Sequence, residues 1–345
     1  MSPPHPQKRP VRICSKSHRL TGRRYRKVGR QKKGQGRLAT TLRSARHRRS
    51  FQECLVKPSS FEYHRAASVQ EAIHLLDTRG EDAKLIAGGQ SLVPMMNFRL
   101  ARPTALVDIG RIPGLSYVRL EGAGLRIGAL TPHGAIETIN DPAVLAGYSV
   151  LARAARWIGH PPIRTRGTFG GSLAHADPTA EWCILALLFD AEIVVAGPSG
   201  TRTIGAADLF LGFLTTALAP NEMILEIRLP APAPSSSFQE FSRRLGDFAV
   251  VGAAVSLDHD DATCRSARVV VGGVASTPVR VPEAEAILTD ASLHPVLFRE
   301  AAGAASGALD PISDVHGSSD YRRQLTKVLV RRALEEAARS GAGMQ

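Results

Sequence analysis

The sequence predicts an α+β protein in which two α/β lobes are followed by a separate C-terminal α+β domain. Two glycine-rich turns each precede a helical pattern, one in each lobe. A segment rich in proline and serine then separates these lobes from two further strand-like runs and a long amphipathic helix. This order of elements favours two lobes that form one ligand-binding unit and a third domain with its own core.

The positive charge of the chain is concentrated at its N-terminus. Residues 1–50 contain 17 Lys and Arg and no Asp or Glu, and the first acidic residue is Glu53. The remaining residues carry 27 basic and 31 acidic side chains, a net charge of −4. Residues 1–50 are therefore predicted to be a disordered basic arm, because they have too little apolar surface to offset the entropy lost on ordering.

Three explanations of the arm stay open: an organelle transit peptide, a nucleic-acid-binding arm, and a start codon placed too far upstream. Nucleic-acid binding is disfavoured, because the arm has only Tyr25 as an aromatic residue for stacking on bases. No apolar run approaches the roughly 20 residues of a membrane helix. The four cysteines lie far apart, with no pair at the spacing of a zinc or iron-sulfur site, which predicts reduced thiols in a cytoplasmic protein.

The first lobe is predicted to cover about residues 51–110. Ser68 and Glu71 form a predicted capping box, and the apolar stripe that follows ends at Gly80. The remaining elements of this lobe are a strand over 84–87, a helix over 91–100 and a strand over 105–109. This β/α unit is short for a Rossmann domain.

The second lobe is predicted to cover about residues 111–229. A hairpin is predicted around residues 121–124, and Thr131-Pro132 is expected to cap the next helix. The other predicted elements are a helix over 143–158, a buried helical run over 182–189 and a strand over 223–229. Residues 230–237 are predicted to be a linker, and 238–345 the C-terminal domain, with strands over 250–257 and 267–274 and a helix over 321–339.

Two glycine-rich segments carry the indication of chemistry, Ala87 to Ser91 and Gly167 to Ser172. Glycines at a turn let a ligand approach the backbone, and unbonded N–H groups at a helix start attract anions. Two such loops can hold the two phosphates of a dinucleotide without a lysine, although each double glycine is also explained by a tight turn. Neither segment matches GxGxxG or GxxxxGK[ST], which disfavours a nicotinamide-binding Rossmann fold and an NTPase.

Whole segments around these glycines resemble a known family. Residues 87–94 (AGGQSLVP) and 106–109 (LVDI) resemble the first FAD-binding lobe of the medium subunits of carbon monoxide dehydrogenase and its relatives in the xanthine dehydrogenase family. Residues 166–178 (RGTFGGSLAHADP) are similar to the second flavin motif of that family, and residues 246–249 (GDFA) to its C-terminal domain. The resemblance runs in order from about Phe51 and leaves out the basic arm.

The resemblance implies a two-lobed FAD-binding fold of the vanillyl-alcohol oxidase type with a C-terminal α+β domain. It also implies FAD with its diphosphate against both glycine loops, and no attachment residue is evident, so the FAD is expected to be non-covalent. No residue of this chain is implied to be catalytic. The residues implied to bind the cofactor are Ala87, Gly88, Gly89, Gln90, Ser91, Thr168, Phe169, Gly170, Gly171, Ser172, Asp177 and Ile224.

Several of these positions have a second interpretation. Asp177 is alternatively a turn residue, Ile224 a core residue on a strand, and His175 a structural histidine rather than a neighbour of the flavin. Residues 210–216 resemble the loop that approaches the isoalloxazine ring, but without the tyrosine that some relatives have there. Gln239-Glu240 stands where many relatives have a lysine, so no role of that lysine is carried over.

The function implied by the resemblance is that of the FAD subunit of a heterotrimeric molybdenum hydroxylase. An iron-sulfur small subunit would deliver electrons, a molybdenum-binding large subunit would oxidise the substrate, and this chain would pass the electrons to an external acceptor. The complex is expected to be a dimer of heterotrimers, with the molybdenum cofactor and the iron-sulfur clusters on the partners only. A self-sufficient flavoprotein oxidase would need a catalytic base or a covalent flavin link, and the sequence offers neither.

Overall fold

The computed structural model describes residues 57–260 and 263–341. The predicted basic arm, residues 1–50, lies outside these residues. None of the helices that the structure describes is both long enough and apolar enough to span a bilayer.

The first lobe is a small parallel sheet with two helices. Its three strands are hydrogen-bonded in the order β1-β3-β2, so the middle strand is the last of the three in the chain. The elements are β1 (Glu62–Arg65), α1 (Val69–Arg79), β2 (Ala83–Ile86), α2 (Leu92–Asn97) and β3 (Ala105–Asp108).

The predicted start and end of α1 are confirmed. Ser68 is the N-cap residue, and its hydroxyl accepts a 3.1 Å hydrogen bond from the Glu71 N–H. The Glu71 carboxylate reaches back to the Ala67 N–H at 2.7 Å, one residue before the cap. Gly80 ends the helix with φ +78°, a conformation that glycine adopts without steric strain.

Helix α2 is shorter than the predicted 91–100. Arg99 has a left-handed backbone with φ +58°, and the Leu100 N–H turns back to the Met95 carbonyl at 2.8 Å. The chain therefore leaves the helix after Asn97.

The second lobe is built on a five-stranded antiparallel sheet with the order β4-β5-β10-β6-β7. The predicted hairpin is confirmed, with Glu121 opposite Gly124 and Gly122 at φ +62° in the turn. The strands of this sheet are β4 (Val118–Glu121), β5 (Gly124–Gly128), β6 (Glu192–Gly197), β7 (Gly200–Gly205) and β10 (Met223–Leu229). Two short strands, β8 (Phe210–Gly212) and β9 (Thr215–Thr216), pair with each other outside it.

Six helices surround this sheet, and the predicted buried run is one of them. Every residue from Trp182 to Leu188 is buried. Thr131 does not cap the next helix as expected, because its hydroxyl bonds the Tyr117 backbone instead. The helices are α3 (His133–Glu137), α4 (Pro142–Ala155), α5 (Pro161–Arg164), α6 (Phe169–His175), α7 (Glu181–Leu188) and α8 (Ala206–Leu209).

The C-terminal domain is an antiparallel sheet with helices packed against it, and it has a hydrophobic core of its own. Its main sheet has the order β11-β12-β13-β14, and β15 also pairs with β13. The elements are β11 (Ser236–Phe241), β12 (Val251–His259), β13 (Thr263–Gly272), β14 (Val279–Arg280), α9 (Pro282–Leu288), β15 (Ala291–Ser292), α10 (Pro295–Gly307) and α11 (Ser319–Gly341).

The segment predicted as a linker, residues 230–237, is packed against the second lobe rather than free. The Ala233 N–H donates to the Gly147 carbonyl at 2.8 Å, and a Cβ on Gly147 would lie 2.6 Å from the Pro232 Cβ. Ser236 and Ser237 are already the first residues of β11. Proline and serine composition predicted a linker between domains here, and in the structure this segment makes contacts with the second lobe that hold it in place.

Candidate functional site

The first glycine loop connects β2 to α2 and leaves backbone donors free. Gly89 has φ +72°, which favours glycine at this position. The Gln90 amide donates to the Gly88 carbonyl at 2.8 Å and braces the turn. Within the described part of the chain, no protein acceptor is found for the backbone N–H groups of Gly89, Gln90 and Ser91. This loop therefore has the unbonded donors that the sequence predicts for an anion site.

The two glycine loops meet at Gly88. A Cβ on Gly88 would lie 2.0 Å from the Arg166 carbonyl oxygen and 2.8 Å from the Gly167 Cα. Real Cβ atoms do not approach other atoms this closely, so only glycine allows the backbones of the two lobes to touch here. The two loops therefore contact each other backbone against backbone at Gly88.

A cleft of about 550 Å³ opens beside this contact. Cavities of this size are in the range of small-molecule and cofactor sites. The predicted residues Ala87 to Gln90 line it, but sequence reasoning missed three polar side chains that also do. The full lining is Tyr63, Ile86, Ala87, Gly88, Gly89, Gln90, Val93, Pro94, Asp108 and Arg166.

Asp108 is a carboxylate that the surrounding residues hold in its charged form. The Tyr63 hydroxyl donates to it, the Gly110 N–H donates at 2.9 Å, and the Arg65 guanidinium lies at 3.4 Å. Burial by itself would raise the pKa of Asp108, but these three donors outweigh it and lower the pKa below its ordinary value. The only sequence signal for Asp108 was its place at the end of the LVDI strand, inside the motif that carries the family resemblance.

The second glycine loop differs from the expectation of free N–H groups. Thr168 is the N-cap of α6, and its hydroxyl accepts from the Gly171 N–H at 3.1 Å. The Phe169 N–H donates to the Thr131 carbonyl at 3.0 Å, and the Gly170 N–H to the Ala129 carbonyl at 2.9 Å. The donors at the start of this helix are therefore already used inside the protein.

Two predicted site residues of this loop, Phe169 and Gly170, lie in the protein core. Phe169 is fully buried and stacks on Trp182 with ring centroids 4.6 Å apart. A Cβ on Gly170 would lie 2.7 Å from the Ala129 Cβ, so protein atoms fill the space that was expected for a ligand. Gly171 is exposed and Ser172 half-buried, which leaves them as the accessible residues of the segment after its cap.

A buried histidine packs against this loop. The Trp182 indole donates to His133 Nδ1 at 2.8 Å, and a Cβ on Gly167 would lie 2.6 Å from His133 Nε2. Burial, and to a smaller extent the charge of Arg164, lower the pKa of His133 to about 4. His133 therefore stays neutral and supports the loop as a hydrogen-bond acceptor.

The remaining predicted residues take structural positions. One carboxylate oxygen of Asp177 accepts from the Thr179 N–H at 2.8 Å and from its hydroxyl at 2.7 Å, the geometry of an Asx turn. Ile224 lies on β10 in the core of the second lobe. Burial lowers the pKa of His175, and nearby Asp177 opposes this shift. Residues 210–216 form the β8–β9 hairpin, with Leu211 and Phe213 exposed.

A buried pair of carboxyl groups lies between the second lobe and the C-terminal domain. Glu240 on β11 is 6% exposed, and the group that lies within hydrogen-bonding reach of its carboxyl group is the Glu181 carboxyl group on α7. Burial and the neighbouring Glu181 raise the pKa of Glu240 to about 10. Burial likewise raises the pKa of Glu181 to about 7. In the sequence, Glu240 stands out only because many relatives have a lysine in this region. Glu181 and Glu240 are too far apart in the chain for their pairing to be predicted.

Comparison with family models assigns both parts of the chain. Residues 59–232 match the family described as the FAD binding domain in molybdopterin dehydrogenase. Residues 236–337 match the CO dehydrogenase flavoprotein C-terminal domain. The boundary between the two matches falls in the segment that leads into β11.

Known proteins are similar over nearly their whole length. The 6-hydroxypseudooxynicotine dehydrogenase complex subunit alpha of Paenarthrobacter nicotinovorans is 45% identical, over 82% of this chain and 96% of the relative. The carbon monoxide dehydrogenase medium chain of Hydrogenophaga pseudoflava is 39% identical, over 81% of this chain and 98% of the relative.

Solved structures have the same fold. Carbon monoxide dehydrogenase from Hydrogenophaga pseudoflava, in a form that lacks the Mo-pyranopterin moiety, superimposes with a TM-score of 0.79 at 40% identity, over 82% of this chain and 99% of the other. Quinoline 2-oxidoreductase from Pseudomonas putida 86 gives a TM-score of 0.78 at 35% identity, over 82% and 98%. The predicted two-lobed fold with a C-terminal α+β domain is therefore confirmed.

Proposed function

Because the chain belongs to the family of FAD-binding medium subunits of molybdenum hydroxylases of the carbon monoxide and xanthine dehydrogenase type, we propose that it takes electrons from an iron-sulfur subunit and passes them to an external acceptor. The chain is an oxidoreductase component, and its cofactor is FAD. When bound, FAD supplies one-electron and two-electron redox chemistry, which suits an exchange between single-electron and two-electron carriers.

The observation that carries the proposal is the cleft at the junction of the two glycine loops. Its donor set fits a phosphate-bearing cofactor, because the N–H groups of Gly89, Gln90 and Ser91 are unbonded and apolar residues such as Ile86 and Val93 also line the cleft. In this proposal the backbone of residues 87–91 binds the FAD diphosphate. Residues 168–172 contribute mainly through the accessible Gly171 and Ser172, while Phe169 and Gly170 support them from the core.

Asp177 and Ile224 stay in the proposed site with narrower roles. The second carboxylate oxygen of Asp177 is not used by the Asx turn and is the atom proposed to contact the cofactor. Ile224 is proposed to support the site from its place in the core of the second lobe.

The division of labour between subunits is also proposed. The described residues contain no cluster of three or more His, Cys, Asp or Glu side chains that could hold a metal ion. From the family membership we propose that the iron-sulfur clusters lie on a small partner subunit and the molybdenum cofactor on a large one, in a dimer of heterotrimers. A cytoplasmic location is proposed from the thiols, since Cys183 and Cys264 are free and buried.

A glycine-to-alanine pair tests the cofactor site. Gly89→Ala introduces a side chain at φ +72° with its Cβ 3.2 Å from Ile86 and Val93 side-chain atoms, in the cleft. Gly122→Ala introduces the same kind of backbone strain at φ +62° in the β4–β5 turn, with nothing within 4 Å. We expect Gly89→Ala to bind FAD at least tenfold more weakly, because the strained loop presents its N–H groups in altered directions.

The measurement is flavin content and FAD dissociation constant of the purified full chain. Wild type should hold one non-covalent FAD, released by acid precipitation, and Gly122→Ala should match wild type. Flavin that stays on the denatured chain, or equal FAD affinity in both variants, would contradict the assigned site.

Electron flow is tested in the assembled complex with the Gly89→Ala variant. Substrate should still reduce the iron-sulfur bands in rapid-mixing spectra, while turnover with the natural acceptor falls with flavin occupancy. A flavin-depleted complex that turns over with the natural acceptor at the normal rate would show that electrons leave by another route.

A further inference from the structure

Arg166 is an exposed arginine at the junction of the two lobes. Arg166 is one of the residues that line the cleft, together with Gly88, Gly89 and Gln90, and it is exposed. In the sequence, Arg166 directly precedes the second glycine-rich segment, and no role is predicted for it. Nothing in the predicted set of cofactor-binding residues carries a positive charge, although a diphosphate is an anion.

The backbone of Arg166 is held in place at this junction. Its N–H donates to the Ile163 carbonyl at 3.1 Å, and the Gly167 N–H donates to the same carbonyl at 2.8 Å. Its own carbonyl oxygen lies against Gly88. The Cα of Arg166 is therefore held next to the first glycine loop, which keeps the guanidinium within reach of this junction.

The Arg166 guanidinium has no interaction partner among the residues that the structure describes. No hydrogen bond or ion pair joins it to any residue in 57–260 or 263–341. Arg164, two residues earlier, is the opposite case, since it binds the Glu137 carboxylate at 2.7 Å and the Gly159 carbonyl at 2.9 Å. Arg65, the other guanidinium near the cleft, is committed to Asp108 and Tyr63.

The second glycine loop cannot supply the missing charge. Its N–H groups are bonded to Thr131, Ala129 and Thr168. Asp108 is the negative group of the cleft, and the donors around it hold it in its charged form. A cation that is not already paired would add to the attraction of the free N–H groups for an anion in this cleft, and a guanidinium can bind two phosphate oxygens at once.

We propose that the Arg166 side chain binds the diphosphate of FAD across the lobe junction, opposite the unbonded N–H groups of Gly89 to Ser91. The inference rests on the proposed function, because it names the charged ligand group of the same site. It goes beyond the glycine motifs in assigning the electrostatic part of binding to one side chain of the second lobe.

The test compares ligand binding by the full apo-chain and three variants. Arg166→Gln removes the charge, Arg166→Lys keeps the charge without the two-pronged geometry, and Arg156→Gln removes an exposed arginine that does not line the cleft. The probes are FAD and ADP, which carry a diphosphate, and riboflavin and adenosine, which do not. Dissociation constants are measured by fluorescence titration and calorimetry at several NaCl concentrations.

Arg166→Gln should weaken FAD and ADP binding by about 10- to 100-fold, the loss of a charge-assisted bond. Its affinity should also depend less on salt than that of wild type, because a screened ion pair is gone. Arg166→Lys should recover part of the loss. Arg156→Gln should match wild type, and all variants should keep the wild-type melting temperature, since the Arg166 side chain makes no structural contact.

Two results would overturn the inference. One is an Arg166→Gln chain that binds FAD within twofold of wild type with the same salt dependence. The other is an equal loss of adenosine or riboflavin affinity, which would indicate contact with a ring and not with phosphate. A wild-type chain that binds no FAD would instead refute the proposed function, so the two failures are distinguishable.

Discussion

Replacing Glu240 with glutamine should stabilise the protein at alkaline pH. Glu240 is 6% exposed, and the carboxyl group beside it belongs to another acid, Glu181. The folded protein therefore keeps Glu240 protonated, with its pKa raised to about 10 from an ordinary value of 4.5. The unfolded chain releases that proton above pH 4.5, so the folded state loses stability as the pH rises from 4.5 toward 10.

The size of the effect follows from the pKa difference. One pH unit is worth about 1.4 kcal/mol, so holding the proton at pH 8 costs at most about 5 kcal/mol. Side-chain relaxation and water entry lower such penalties in real interiors, and we expect a gain of about 2–4 kcal/mol for Glu240→Gln at pH 8. Below pH 5 both states bind the proton, and the gain should fall to under about 1 kcal/mol.

The assay is urea unfolding at pH 5, 6, 7 and 8, followed by fluorescence of the buried Trp182. Glu300→Gln, at an exposed position in α10, is the matched control and should track wild type at every pH. Equal pH slopes for Glu240→Gln and wild type, or a variant less stable than wild type at pH 8, would refute the reasoning that the carboxyl group is buried at a cost.

Gly170→Val should destabilise the second lobe by at least about 2–3 kcal/mol in urea unfolding, because the new side chain collides with Ala129 2.7 Å away. Thr168→Ala should lower stability by about 1 kcal/mol in the same assay, since it removes the N-cap bond to the Gly171 N–H. A chain that starts at Phe51 should keep the FAD content and melting temperature of the full chain, because the family match begins only at residue 59.

Controls separate these effects from general damage. Gly303→Ala, in the interior of α10 with nothing within 4 Å of its Cβ, should raise stability by about 0.5–1 kcal/mol. Wild-type stability of Gly170→Val would place its side chain in open space and contradict the packing described here. Loss of flavin on truncation would assign the basic arm a role in cofactor binding.

The fold was predictable because its signals are local. The strand over Met223–Leu229 has the predicted bounds, and Gly80 ends α1 as its position after an apolar stripe predicts. The β4–β5 turn follows from glycines between two strand-like runs. The two-lobed arrangement was predicted from the family resemblance, and the solved relatives confirm it.

The site was predictable only in part, because its details depend on contacts between distant residues. A double glycine shows that backbone comes close to something, but it does not distinguish a ligand from protein. At Gly88 the neighbour is the Arg166 backbone, and at Gly170 it is Ala129. The donors of the second loop are used by Thr131 and Ala129, which lie about 40 residues earlier in the chain.

The contact at Gly88 makes cofactor retention and lobe closure parts of one equilibrium. A ligand that lies against both loops contacts both lobes, so movement of the first lobe away from the Arg166 backbone would break the contact at Gly88 and some of the ligand's own contacts. Bound cofactor should therefore protect the connection between β3 and β4, residues 109–117, against proteases, with protection that rises with free FAD concentration.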